Sequence, residues 1–124
     1  MRSNYSSLIG ISHEEKNCWD IAVDFYRLVF DLELKHYYGK ETPNRIDTSA
    51  LIYSNKGDFV KVDQPVFGDL IIFSIHGIES HIGIYIDQTI FFHSSKTTGS
   101  VHDRLDRWKT LIVGYYRPEA KWLK

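Results

Sequence analysis

Cysteine is almost missing from this chain: Cys18 is the only one in 124 residues. A single thiol excludes an internal disulfide framework and cannot supply a thiolate zinc cluster. A surplus of charge is missing too. Fifteen Lys and Arg against sixteen Asp and Glu leave a net charge of -1, so no strong field invites nucleic acid or an anionic membrane. No apolar run approaches the length of a membrane span. Residues 1–16 carry no stretch of the kind a secretory leader needs, so the chain is expected to be made and folded in a cytoplasm. Repeats, linkers and low-complexity segments are likewise absent. What is plentiful is apolar: 43% of residues, with 15% aromatic, enough for a proper core. At this length residues 1–124 read as a single domain.

The lone cysteine stands where a helix should begin. Asn17 is a good N-cap, and Asp20 can answer it as a short capping box. Ile21, Phe25, Leu28, Val29 and Leu32 then recur at helical spacing, predicting a helix from 18 to about 34 with one buried stripe. Lys35 and His36 suit its negative end. Cys18 thus falls at the first helical position, where unpaired backbone N–H groups and the helix dipole favour a thiolate. The bland alternative is a buried cysteine acting as a small hydrophobe.

Before the helix, the short patch Leu8-Ile9-Gly10-Ile11 could close over it, and His13 could line its mouth, although an ordinary solvated loop residue is the more natural reading. After it, Pro43 and Asn44 mark a loop, and a brief second helix is predicted over 47–53. A short extended segment follows around Phe59, Val60 and Val62, and Pro65 with Gly68-Asp69 makes a turn. Residues 70–75 form a near-continuous apolar run of strand length. A loop over 76–80 leads to alternating segments at 81–86 and 89–93. Val101 opens another short strand, 105–108 a helical turn, and 111–117 a last strand stopped by Pro118. A helix followed by a run of antiparallel strands is an α+β arrangement.

A hairpin centred on Asp87 sets His81 directly opposite His93. Alternation then gives Ile82, Ile84, Ile86, Ile90 and Phe92 to a core face, and His81, Gly83, Tyr85, Phe91 and His93 to the other. Gly83 leaves space beside His81. A cysteine nucleophile needs a base for its proton, and the base works best when a third polar group fixes it. Cys18, His81 and His93 fit those roles in that order, with the Cys18 N–H available for an oxyanion. An incidental histidine contact is the competing reading. A metal site built from His76, His81, His93 and His102 is weaker, since no carboxylate motif accompanies them, and no cofactor is called for.

Asn17-Cys18 opening a helix, Gly68-Asp69-Leu70 opening a strand, and His81-Ile82-Gly83-Ile84-Tyr85 followed by Phe92-His93 resemble the NlpC/P60 family of cysteine peptidases. The segment Gly114-Tyr115-Tyr116-Arg117-Pro118 and the helix containing Asp24-Phe25-Tyr26-Arg27 are similar to its bacteriophage tail-assembly, or tail-tip, branch. The resemblance spans roughly residues 8–118. It implies a papain-like fold with an N-terminal cysteine helix packed against an antiparallel sheet. It also implies cleavage of amide bonds in peptidoglycan stem peptides, with other phage tail proteins as partners and the virion tail as carrier to the bacterial wall.

Two neighbours depart from the family pattern. Many members carry Asp before the cysteine and a small residue after it, where this chain has Asn17 and Trp19. The nucleophile survives these changes, but bond specificity does not transfer, and Trp19 is placed to crowd or wall the cleft. A non-catalytic tail subunit that keeps the fold is the alternative from another class; acyl transfer to a lipid is a remote third. Asp69 is expected to settle the turn before its strand, and Tyr85 to pack. Tyr5, Tyr37, Tyr38, Tyr115 and Trp122 are more naturally core or rim than partner contacts.

Overall fold

The computed structural model describes residues 4–34 and 59–118, without the side chains of residues 78–80. The helix expected over 47–53, together with Lys35, His36, Tyr37, Tyr38 and Trp122, lies outside the described residues.

After a 3-10 turn at Ser6–Leu8 comes helix α1 (Cys18–Phe30). Six strands follow: β1 (Phe59–Val62), β2 (Leu70–Ile75), β3 (Ile78–Tyr85), β4 (Ile90–Ser95), β5 (Gly99–Arg104) and β6 (Ile112–Pro118). A helical turn α2 (Leu105–Trp108) and a 3-10 turn at Lys109–Leu111 stand before β6. The strands form one antiparallel sheet in the order β1-β6-β2-β3-β4-β5. The chain therefore meanders from β2 to β5 and returns to insert its last strand between β1 and β2.

Helix α1 lies over β3 and β4. Its Ile21, Phe25, Tyr26 and Val29 pack with Leu70, Ile72, Ile82, Ile84 and Phe92 from the facing side of the sheet. The opposite side carries a smaller core of Ile71, Phe73, Phe91 and Leu105, closed by Trp108, Tyr85 and Tyr115. This second layer explains why β2 reads as a continuous apolar run: both of its faces are covered. The face holding the histidines, expected to be separate from the core, is thus itself buried.

The helix stops at Phe30 rather than near 34 because Asp31 adopts a left-handed backbone, φ 55°, with its N–H bonded to the Arg27 carbonyl. A short polar side chain tolerates that conformation. Leu32 and Leu34 are buried, but from beyond the end of the helix, so their apolar character reports packing and not helix. Leu28, expected in the buried stripe, faces solvent.

Two local devices hold the ends of the layers in place. Gly68, at φ +94°, lies so close to the Phe30 ring that a Cβ there would stand 2.5 Å from it. The Tyr26 hydroxyl donates to the Gly68 carbonyl. Next to it, Asp69 accepts from the Val66 N–H at 2.7 Å and receives Arg117 in two bonds of 2.8 Å, which ties β6 to the start of β2. Asp69 does settle its turn, as expected. At the far edge, residues 8–11 run along β5. Gly10 N–H donates to the Ser100 carbonyl, and Ser100 N–H to that of Ile11. The Ser100 hydroxyl accepts from the Ile11 N–H at 2.8 Å. This arm covers an edge that would otherwise be open to pairing. Leu8 and Ile11 pack on the main core as expected of a patch closing over the helix, while Ile9 is exposed.

Candidate active site

The start of α1 is built as its sequence suggests. The Asn17 side chain accepts from the Trp19 and Asp20 N–H groups at 3.1 and 3.0 Å, and the Asp20 carboxylate accepts from the Asn17 N–H at 3.2 Å. This complete capping box places Cys18 at the first helical position. The chain entering the helix is also held from β4: the Ser94 hydroxyl, fully buried, donates to the Lys16 carbonyl at 2.8 Å. Trp19 is fully buried in the main core, so it neither crowds nor walls a cleft.

The sulfur of Cys18 sits where the sheet opens. Strands β3 and β4 are paired only at Ile84↔Phe92 and Tyr85↔Phe91 and part beyond that point. Within the gap the backbone N–H of Ile82 is directed at the Cys18 sulfur. Hence the thiol lies against the strand residue that immediately follows His81.

The two histidines meet, though not as a directly opposed pair. The Ile86 and Asp87 N–H groups both donate to the Ile90 carbonyl, and Asp87 Oδ1 accepts from Thr89 and Ile90. The hairpin is therefore centred on Gln88, one residue later than expected, and the pairing is shifted by two. A shift of two preserves the faces. His81 and His93 become diagonal neighbours, and the splay of the strands lets His81 Nε2 lie 2.7 Å from His93 Nδ1. Gly83 does leave room here, but the Phe91 and Phe73 rings fill it: a Cβ would lie 2.8 Å from the first and 3.1 Å from the second.

Two further residues, not foreseen from the sequence, complete the cluster. His93 Nε2 lies 3.3 Å from Asp103 Oδ2, and the indole N–H of Trp108 donates to the same oxygen at 3.2 Å. The Trp108 ring stacks on His81, with centroids 5.7 Å apart and planes 25° off parallel. The signal that could have found Asp103 is the β4–β5 register, which pairs His93 with Val101 and so puts Asp103 diagonally beside it. The turn over 96–98 closes that hairpin around Gly99, whose φ of +72° and close approach to the Ile11 carbonyl exclude a side chain.

Electrostatics at the site run against the helix-start expectation of a thiolate. Cys18 is 4% exposed, and burial pushes its thiol up to about 11, with the N–H groups of Ile82, Trp19 and Cys18 itself pulling the other way. Burial, with smaller contributions from His93 and His13, holds His81 down to about 3. His93 is lowered by burial, with Asp103 opposing. The resting pair is thus a neutral thiol beside a neutral imidazole, because desolvation outweighs the dipole. His13 is near enough to act on His81 and has Lys96 and Asp20 close to it, so it belongs to the rim of the site.

The remaining histidines do not join. His76 is exposed at the β2–β3 turn, and His102 accepts or donates at 2.7 Å to the Tyr5 hydroxyl on the helix side of the sheet. Among the described residues no three His, Cys, Asp or Glu side chains are grouped to hold a metal ion. Tyr85 packs edge-on to Tyr115, away from the cluster. No helix among the described residues is long and apolar enough to cross a membrane.

No curated protein matches this chain. The profile of the NlpC/P60 family matches residues 5–117, a span that includes the cysteine helix, His81 and His93, and all of the sheet but Pro118. The chain therefore belongs to the NlpC/P60 family, whose members are cysteine peptidases and amidases acting on cell-wall peptidoglycan peptides.

Proposed function

We propose that this protein is a thiol-dependent hydrolase of amide bonds in peptidoglycan stem peptides, with Cys18 as nucleophile, His81 as base and then acid, and His93 as the residue that holds His81. The observation that carries the reading is the 2.7 Å contact between His81 and His93, immediately beside the strand backbone that donates to the Cys18 sulfur.

The reaction follows from the placement. Substrate entering the site brings its amide carbonyl to Cys18, whose proton passes to His81 as sulfur attacks the carbonyl carbon. The N–H of Cys18, at the positive end of α1, holds the developing oxyanion. The tetrahedral adduct collapses by breaking the C–N bond, and protonated His81 gives its proton to the leaving amine. A thioester remains on Cys18. Water, deprotonated by His81, then releases the acid and restores the thiol. Since neither residue is charged at rest, the proton transfer accompanies attack instead of preceding it.

We extend the proposal to a place of action: a component of a phage tail, made in the host cytoplasm and carried in the virion, that opens the wall locally among other tail proteins. The support is the likeness of the 114–118 segment and of the Asp24–Arg27 stretch of α1 to the tail-assembly branch of the family. A non-catalytic tail subunit is the competing reading, favoured by one observation, the near-complete burial of Cys18. Clearing of a purified cell-wall suspension tests the two. The wild type clears it and Cys18→Ala and His81→Ala, folded by circular dichroism, do not; a wild type as inert as both variants would leave the structural subunit. Mass spectrometry of purified virions, finding or not finding this chain in the tail, tests the location.

A further inference from the structure

Asp103 and Trp108 have no part in the mechanism above, yet they finish a continuous chain of polar contacts that begins at His81. We infer that Asp103, itself held by Trp108, is a positioning residue that fixes the protonation pattern of both histidines and so makes His81 Nδ1 the atom that receives the Cys18 proton. The inference rests on the proposed amidase chemistry for its purpose, but the pattern itself follows from hydrogen-bond capacity alone.

A carboxylate can only accept. An indole N–H can only donate, and that of Trp108 points at Asp103 Oδ2 at 3.2 Å, which fixes where this oxygen stands. His93 Nε2, 3.3 Å from the same oxygen, must therefore carry its hydrogen. A neutral imidazole with its hydrogen on Nε2 has a lone pair on Nδ1. His93 Nδ1 thus accepts, and its partner at 2.7 Å, His81 Nε2, must donate. That leaves the lone pair of His81 on Nδ1, the one ring nitrogen not engaged by His93 and so the one free to serve the thiol. Reverse the first link and every later one reverses. His81 would then bear its hydrogen on Nδ1 and could not take another from sulfur without first losing it. The stacked Trp108 ring keeps the His81 plane in register with this chain, and its π face suits the imidazolium formed during attack.

The second Asp103 oxygen accepts from the Arg104 N–H at 2.8 Å. An asparagine that places its carbonyl oxygen at the Oδ2 position keeps both inward donors and gives up only the bond from the Arg104 N–H. Alanine loses all of them.

Nitrogen-15 NMR of the imidazoles near neutral pH reads the tautomers directly. Wild type is expected to show both His81 and His93 with hydrogen on Nε2, Asp103→Asn the same, and Asp103→Ala a mixture at both rings. Hydrogen on Nδ1 of His81 in the wild type, unchanged tautomers in the alanine variant, or an asparagine variant as disturbed as alanine would each overturn the inference. The wild-type spectrum is decisive even if Asp103→Ala fails to fold. Measured alongside, kcat on stem-peptide substrate should fall roughly 100-fold in Asp103→Ala with KM little changed, the low end of what general acid–base catalysis contributes. An inactive wild type with the expected tautomers would sink the amidase proposal and leave the pattern standing.

Discussion

Native Cys18 should be slow to alkylate, and the size of the effect can be worked from its surroundings. Its thiol lies at about 11 against an ordinary 9.0. At pH 8 about one molecule in a thousand then carries the reactive thiolate, against about one in ten for an unfolded control, a difference of roughly a hundredfold. The 4% exposure of the residue slows reagent further. Iodoacetamide labelling followed by intact-protein mass, on native protein and in urea, measures the ratio. A native rate at neutral pH equal to or above the unfolded rate would refute the reasoning: it would mean that the capped helix start lowers the thiol more than burial raises it. The same shift predicts a stability loss in alkali. The folded state holds the Cys18 proton more tightly than the unfolded state does, so stability is lost as pH rises from 9.0 to about 11. A shift of this size corresponds to about 3 kcal/mol, and Cys18→Ala should remove that dependence.

In acid the sign is set by His81. Its folded-state value of about 3 lies below the ordinary 6.5, so the unfolded chain binds more protons and stability falls as pH drops from 6.5 towards 3, seen as a falling urea midpoint that His81→Gln makes shallower. Gly83→Ala should cost about 1–3 kcal/mol, because its methyl group would overlap the Phe91 ring. Since Phe91 also packs against His93, the same variant should lose wall-clearing activity before it loses its far-ultraviolet spectrum. Arg117→Ala leaves the Asp69 carboxylate buried without its ion-pair partner and should lower stability by about 2–4 kcal/mol by urea denaturation, with Arg117→Lys restoring only part.

How far the sequence reached depends on how local each question was. The capping box, the position of Cys18 in it, and the alternation of faces along β3 and β4 rest on residues within a few positions of one another, and these agree with the structure. The helix end did not follow from periodicity because Leu32 and Leu34 are apolar for the sake of tertiary burial, while termination is decided by the left-handed Asp31. The hairpin register was missed because the Asp87 side chain caps Thr89 and Ile90 and moves the centre of the turn to Gln88. The pairing of His81 with His93 survived the error only because a shift of two residues keeps side chains on their own face. Asp103 and Trp108 come from a different hairpin and a helical turn, so nothing short of the β4–β5 pairing brings them to the histidines. The charge state of the thiol was least legible of all, since it is set by burial in the core between helix and sheet and not by the helix start alone.

The most direct test of the central claim is mass spectrometry of muropeptides from purified peptidoglycan, taken before and after exposure to the wild type and to Cys18→Ala. If Cys18 severs an amide in the stem peptide, the wild type generates paired fragments whose masses together equal the parent muropeptide plus one water, and the alanine variant generates none. Identical fragments from both proteins, or an unchanged muropeptide profile with both, would contradict it.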